Sequence, residues 1–172
     1  MRHHPPTKKG FTLVEILLYT SVAAVVLTSA SVFLFVVLQT RVKHQVISEV
    51  EQQGVQVMQV ITQTARNATV LTAPAAGASA ASLTLQVPNG TLSPTIFTLS
   101  SGAIRITEGA APAEVLTNTR VVASNLRFTN LSHPGTPGSF RVEFTLAAAS
   151  NSSRSEYTYA QTFTTAASLR HP

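Results

Sequence analysis

The chain contains no cysteine and no aspartate, and only 11% of its 172 residues are charged. Without cysteine there are no disulfide scaffolds, no thiolate zinc sites and no thiol nucleophiles. Without aspartate, an Asp-rich calcium loop is excluded, and the acidic residues are all glutamate: 15, 49, 51, 108, 114, 143 and 156. Low charge combined with 44% hydrophobic residues excludes a disordered polyelectrolyte. The length suits one domain with an appendage. Arg2, Lys8 and Lys9 supply three of the five net positive charges before residue 11. The basic balance therefore reads as membrane topology rather than as a nucleic-acid footprint, which needs Lys and Arg clustered on one face beside aromatic platforms.

What the sequence does have is a long apolar run. From Phe11 to Leu38 it reads FTLVEILLYTSVAAVVLTSASVFLFVVL, 28 residues with one charge and neither Pro nor Gly. As a helix rising about 1.5 Å per residue it is about 42 Å long, against about 30 Å of bilayer hydrocarbon. Basic residues flank it on both sides, Arg2, Lys8 and Lys9 before and Arg41 and Lys43 after. The short N-terminal flank is expected to stay in the cytoplasm and the C-terminal part to lie outside. The run is about twice the length of an ordinary signal-peptide core, and Glu15 sits in its first turns. A carboxylate there is costly unless it has a partner, so it is read as functional.

Lys8-Lys9-Gly10-Phe11-Thr12-Leu13-Val14-Glu15-Ile16 resembles the class III leader of type IV pilins and type II secretion pseudopilins, the pattern KGFTLVE followed by a long apolar helix. The resemblance implies cleavage between Gly10 and Phe11 by a membrane-embedded prepilin peptidase, helped by the leader charges Lys8 and Lys9, and then N-methylation of the Phe11 amine. It implies that Glu15 meets the Phe11 ammonium of a neighbouring subunit in the assembled filament. The expected partners are thus the prepilin peptidase, other pilins or pseudopilins through the N-terminal helix, the pilus assembly machinery and the lipid bilayer. The expected location is the cytoplasmic membrane, single-pass with the head outside, and then a surface pilus or pseudopilus. Glu49 to Val70 (EVEQQGVQVMQVITQTARNATV) is similar to the corresponding stretch of minor pilins of the PilW type and pseudopilins of the J type. Pilins often carry a Pro midway along the apolar helix; its lack here points to a minor rather than a major subunit.

After Leu38 the composition turns polar while Val42, Val46, Val50, Val57, Ile61, Ala65 and Ala68 keep a helical period, an amphipathic stripe. Gly54 interrupts it as a tolerated defect or a point of close backbone packing, and Arg66 suits the negative end of the helix dipole. Residues 70–82, including TAPAAGASAAS, read as a loop. Short alternating runs follow at Leu83–Val87, Thr95–Leu99, Ile104–Thr107, Val121–Phe128, Phe140–Leu146 and Tyr157–Thr165. In Phe140–Leu146, apolar Phe140, Val142, Phe144 and Leu146 alternate with Arg141, Glu143 and Thr145, the mark of a half-buried antiparallel strand.

The expected fold is α+β and pilin-like: a leader at 1–10, a transmembrane or filament-core helix at 11–38, an amphipathic continuation at 39–69, a loop at 70–82, and a head at 83–172 built on one antiparallel sheet that packs on the helix.

Catalysis has no support in the residues. His3, His4, His44, His133 and His171 are scattered without metal-ligand spacing, and no GxSxG or Asp is present to build a triad. No cofactor, metal or catalytic residue is expected. Four N-x-S/T matches, at Asn67, Asn89, Asn130 and Asn151, arise readily by chance. Direct nucleic-acid contact is not expected, because the head arginines are interspersed with Glu108, Glu114, Glu143 and Glu156. The competing reading is a monomeric single-pass adhesin or binding protein with a β-rich ectodomain, its Glu15 snorkelling to the headgroups.

Overall fold

A computed structural model describes residues 10–149 and 158–170. One helix, α1 (Leu13–Asn67), is followed by nine strands: β1 (Val70–Ala73), β2 (Ser79–Ala80), β3 (Leu83–Gln86), β4 (Thr95–Ser100), β5 (Ala103–Glu108), β6 (Glu114–Val115), β7 (Val121–Asn130), β8 (Ser139–Ala148) and β9 (Ala160–Ser168). The chain divides into two compact units, Met1–Arg41 and Val42–Pro172.

The first unit is the apolar half of α1. Nearly all its large side chains are exposed, Val37 being half-buried, and the helix is long and apolar enough to cross a membrane by length and composition. Hydroxyls in such a run need partners within the helix itself. Thr20 and Ser21 donate to the carbonyls of Leu17 and Leu18, and Thr28, Ser29 and Ser31 to those of Ala24, Val25 and Leu27.

In the second unit the remainder of α1 packs against antiparallel sheets, as the α+β reading expects. Val50, Val57, Ile61, Ala65 and Ala68 are fully buried, one stripe at steps of three, four and seven residues. Val46 is half-buried at the start of that stripe. Arg66 lies in the last turn, and the chain leaves the helix through a hydrogen bond from the Thr69 N–H to the Gln86 carbonyl at 2.8 Å.

Two sheets form rather than one. The first has the order β1-β3-β4-β5-β6 and the second β2-β7-β8-β9, with every pair antiparallel. The chain visits the second sheet briefly at β2, returns to the first for β3 to β6, and then leaves it to start the long β7–β8 pair. Periodicity within a strand states which face is buried but not which sheet the strand joins.

The expected loop at 70–82 is also corrected. Val70–Ala73 pairs with β3 and Ser79–Ala80 with β7, where the Ser79 and Thr129 hydroxyls bond each other at 2.8 Å. These strands are only four and two residues long, too short to show apolar alternation, so their order comes from backbone pairing to neighbours.

β8 follows the expected alternation: Phe140, Val142, Phe144 and Leu146 are fully buried, while Arg141 and Glu143 are exposed. β7 needs a correction of phase. Val121 and Ala123 point inward, and strict alternation would next bury Asn125 and Arg127. A bulge between Ser124 and Arg127, with Asn125 at φ 54°, adds one residue and turns Leu126, Phe128 and Asn130 inward instead. Asn tolerates that left-handed conformation better than most residues. The β4–β5 hairpin closes through Ser101 and Gly102, both at positive φ, the two-residue geometry whose twist matches the flanking strands.

Candidate functional site: the start of the apolar helix

Gly10, Phe11 and Thr12 precede α1 in extended or irregular backbone, and the helix begins at Leu13. A Cβ placed on Gly10 would meet nothing within 4 Å, so no packing within the chain requires glycine there. Phe11 is 72% exposed. Lys8 and Lys9 lie outside the described residues, as do the remaining leader residues and His3, His4, His171, Asn151 and Arg154.

Thr12 is the N-cap of α1. Its Oγ1 accepts a hydrogen bond from the Glu15 N–H at 3.3 Å, satisfying one of the donors that a helix start leaves unpaired. Glu15 stands at the third helical position, where the positive end of the helix dipole favours a carboxylate. The Thr12-Leu13-Val14-Glu15 spacing is that of a capping box, a signal legible in the sequence and missed in reading Glu15 only as a lone charge.

Glu15 also has a side-chain partner. The Tyr19 hydroxyl donates to Glu15 Oε1 at 3.3 Å across one helical turn. Side chains on a helix lean toward its N-terminus, so a long residue at i+4 reaches back over residue i. Gly10, Phe11 and Glu15 are thus brought to one helix end, with Thr12 and Tyr19 added to the set.

Elsewhere, Glu49 on α1 accepts hydrogen bonds from Asn118 Nδ2 and from Arg120 Nη1, the latter at 3.4 Å, while Gln53 Oε1 accepts from the Asn118 N–H at 3.1 Å. This joins the loop before β7 to the helix. Arg127 stands opposite Glu143 and Arg141 opposite Thr129 on the exposed face of β7 and β8, so both signs share that surface. A cleft of ≈ 500 Å³ at the C-terminal end of α1 is lined by Asn67, Thr69, Pro88, Asn89, Glu108 and Arg170 among others. No three His, Asp or Glu side chains come together among the described residues. Of the N-x-S/T matches, Asn130 is only 4% exposed, with its Nδ2 bonded to the Pro74 carbonyl and its Oδ1 to the Ser132 N–H, so it offers nothing to a glycosylating enzyme.

No protein-family model matches the chain, and neither a curated protein nor a solved structure matches it.

Proposed function

We propose that the chain is a structural subunit, a minor pilin or pseudopilin, of a type IV pilus-like filament that is stored in the cytoplasmic membrane and assembled from it. The observation that carries this reading is the sequence Lys8 to Ile16 running into the long apolar stretch. Prepilin peptidase cleaves between Gly10 and Phe11. Gly10 suits a scissile bond because it opposes little bulk to an approaching protease, and its openness within the chain supports that role. Methylation of the new Phe11 amine keeps its positive charge.

The chemistry of assembly then rests on Glu15. A carboxylate held in lipid is destabilised, and an ammonium from an adjacent subunit relieves it. Two opposite charges about 4 Å apart attract by about 4 kcal/mol at an effective dielectric near 20, before desolvation is subtracted. Such a pair fixes the register between subunits, and the apolar faces of neighbouring helices replace lipid around it. The head folds around the amphipathic half of α1, so the apolar half is left for lipid or for other subunits.

Two measurements test the reading in cells that carry the processing and assembly machinery. Intact mass of the membrane-extracted protein should show loss of residues 1–10 and the gain of one methyl group. Glu15→Ala should still be cleaved and should fail to enter filaments. A chain that keeps its N-terminal methionine, or a Glu15→Ala chain that assembles like the wild type, would refute the proposal and favour the single-pass adhesin.

A further inference from the structure

We propose that Tyr19 is a positioning residue for filament assembly: its hydroxyl holds the Glu15 carboxylate toward the body of the helix and away from the chain's own Phe11, so that the carboxylate is taken by a neighbour's amino terminus rather than by its own. The inference rests on the filament reading above, and it assigns a role to a residue outside the KGFTLVE motif.

The observation is one contact that stands apart from the rest of the run. Thr20, Ser21, Thr28, Ser29 and Ser31 each donate to a carbonyl of their own helix. A tyrosine hydroxyl sits at the far end of a rigid ring and cannot turn back on the adjacent backbone in that way. Tyr19 instead donates to Glu15 Oε1, which is the side chain-to-side chain hydrogen bond of the run among the described residues. In hydrocarbon each of these two polar groups is the other's nearest remedy.

Position gives the contact its consequence. Tyr19 lies one helical turn after Glu15, while Phe11 stands four residues before it, in the segment that precedes the helix. After cleavage the Phe11 ammonium would be a partner for Glu15 within one chain, and a carboxylate neutralised internally has no reason to recruit a neighbour. With Oε1 engaged by Tyr19 and the Glu15 N–H engaged by Thr12 Oγ1, the residue is fixed at both its backbone and its side chain. Oε2 is left to accept from a donor arriving from another subunit, since a carboxylate takes several donors at once.

The test uses the full chain in its membrane with Tyr19→Phe, which keeps the ring and removes the hydroxyl. Cleavage should be unchanged, and assembled subunit recovered from sheared filaments should fall about tenfold, the scale of one hydrogen bond to a charged group. A second measurement is independent of assembly. In processed protein labelled with ¹³C-glutamate and placed in phosphatidylcholine vesicles, the infrared carboxylate band that disappears in Glu15→Gln should shift in Tyr19→Phe. An unshifted band overturns the proposed contact while leaving the filament reading intact. A shifted band with wild-type assembly overturns the positioning role. A wild-type chain that is processed but never assembled overturns the filament reading, and the proposal falls with it.

Discussion

The ring of Phe163 on β9 lies against the backbone of Gly54 on α1, in the space that a Cβ at Gly54 would occupy. The same ring stacks on Phe144 of β8, with centroids 5.5 Å apart and planes inclined by 25°. β9 is the last strand of its sheet, and this contact ties it to the helix. Gly54 is therefore a socket, and the helix accepts its unfavourable propensity in exchange for the approach of an aromatic ring.

Gly54→Ala should lower stability despite adding a better helix former. Overpacking costs about 1–3 kcal/mol and the propensity gain returns about 1 kcal/mol, so a net loss of up to about 2 kcal/mol is expected. Urea unfolding of the detergent-solubilised chain checks this. Combining Gly54→Ala with Phe163→Ala should cost less than the sum of the two, because the ring that the new methyl displaces is gone.

The attachment of the loop before β7 should depend on Glu49 more than on Arg120. Arg120 is 72% exposed and its ion pair at 3.4 Å is screened by solvent, so Arg120→Ala should change stability by no more than about 0.5 kcal/mol. Glu49→Ala also removes the acceptor for Asn118 Nδ2 and should cost about 1–2 kcal/mol. Paired thermal melts of the two variants give the comparison.

Asn130 should tolerate neither Ala nor Asp. It is buried, and its amide donates to the Pro74 carbonyl at 2.7 Å while accepting from the Ser132 N–H at 2.9 Å. Asn130→Ala leaves both partners unsatisfied, at about 1–3 kcal/mol each before water enters. Asn130→Asp sets a carboxylate against the Pro74 carbonyl, and its urea midpoint should lie below that of the Ala variant.

Thr12→Ala should fray the start of α1 at a cost of about 1 kcal/mol, and Thr12→Ser should not. Amide hydrogen exchange checks it: the Glu15 N–H should lose protection in the first variant and keep it in the second, with residues beyond Tyr19 unaffected.

The strands of the head were legible to very different degrees. β8 announces itself because Phe140, Val142, Phe144 and Leu146 alternate with Arg141, Glu143 and Thr145, and burial of one face acts on every second residue. β1, β2 and β6 carry no such pattern. Ser79–Ala80 and Glu114–Val115 are two residues each, held by the strands beside them. The bulge at Asn125 is invisible for a related reason: the sequence offers an Asn able to adopt positive φ, but only the demand to bury Leu126 and Phe128 makes it do so. At the helix start, Thr12 and Tyr19 could have been found from their spacing to Glu15, three residues before and four after.

The amino-acid sequence by itself determined the apolar helix, its lone carboxylate, the amphipathic stripe from Val50 to Ala68 and the strand order of burial in β8, because helical and strand periods are local and each residue's face follows from its number. Only the tertiary structure decided that the strands divide into two sheets and that Gly54 is glycine to receive Phe163. The sheet division and the socket are choices of partner rather than of conformation, and a partner distant in sequence leaves no period to read.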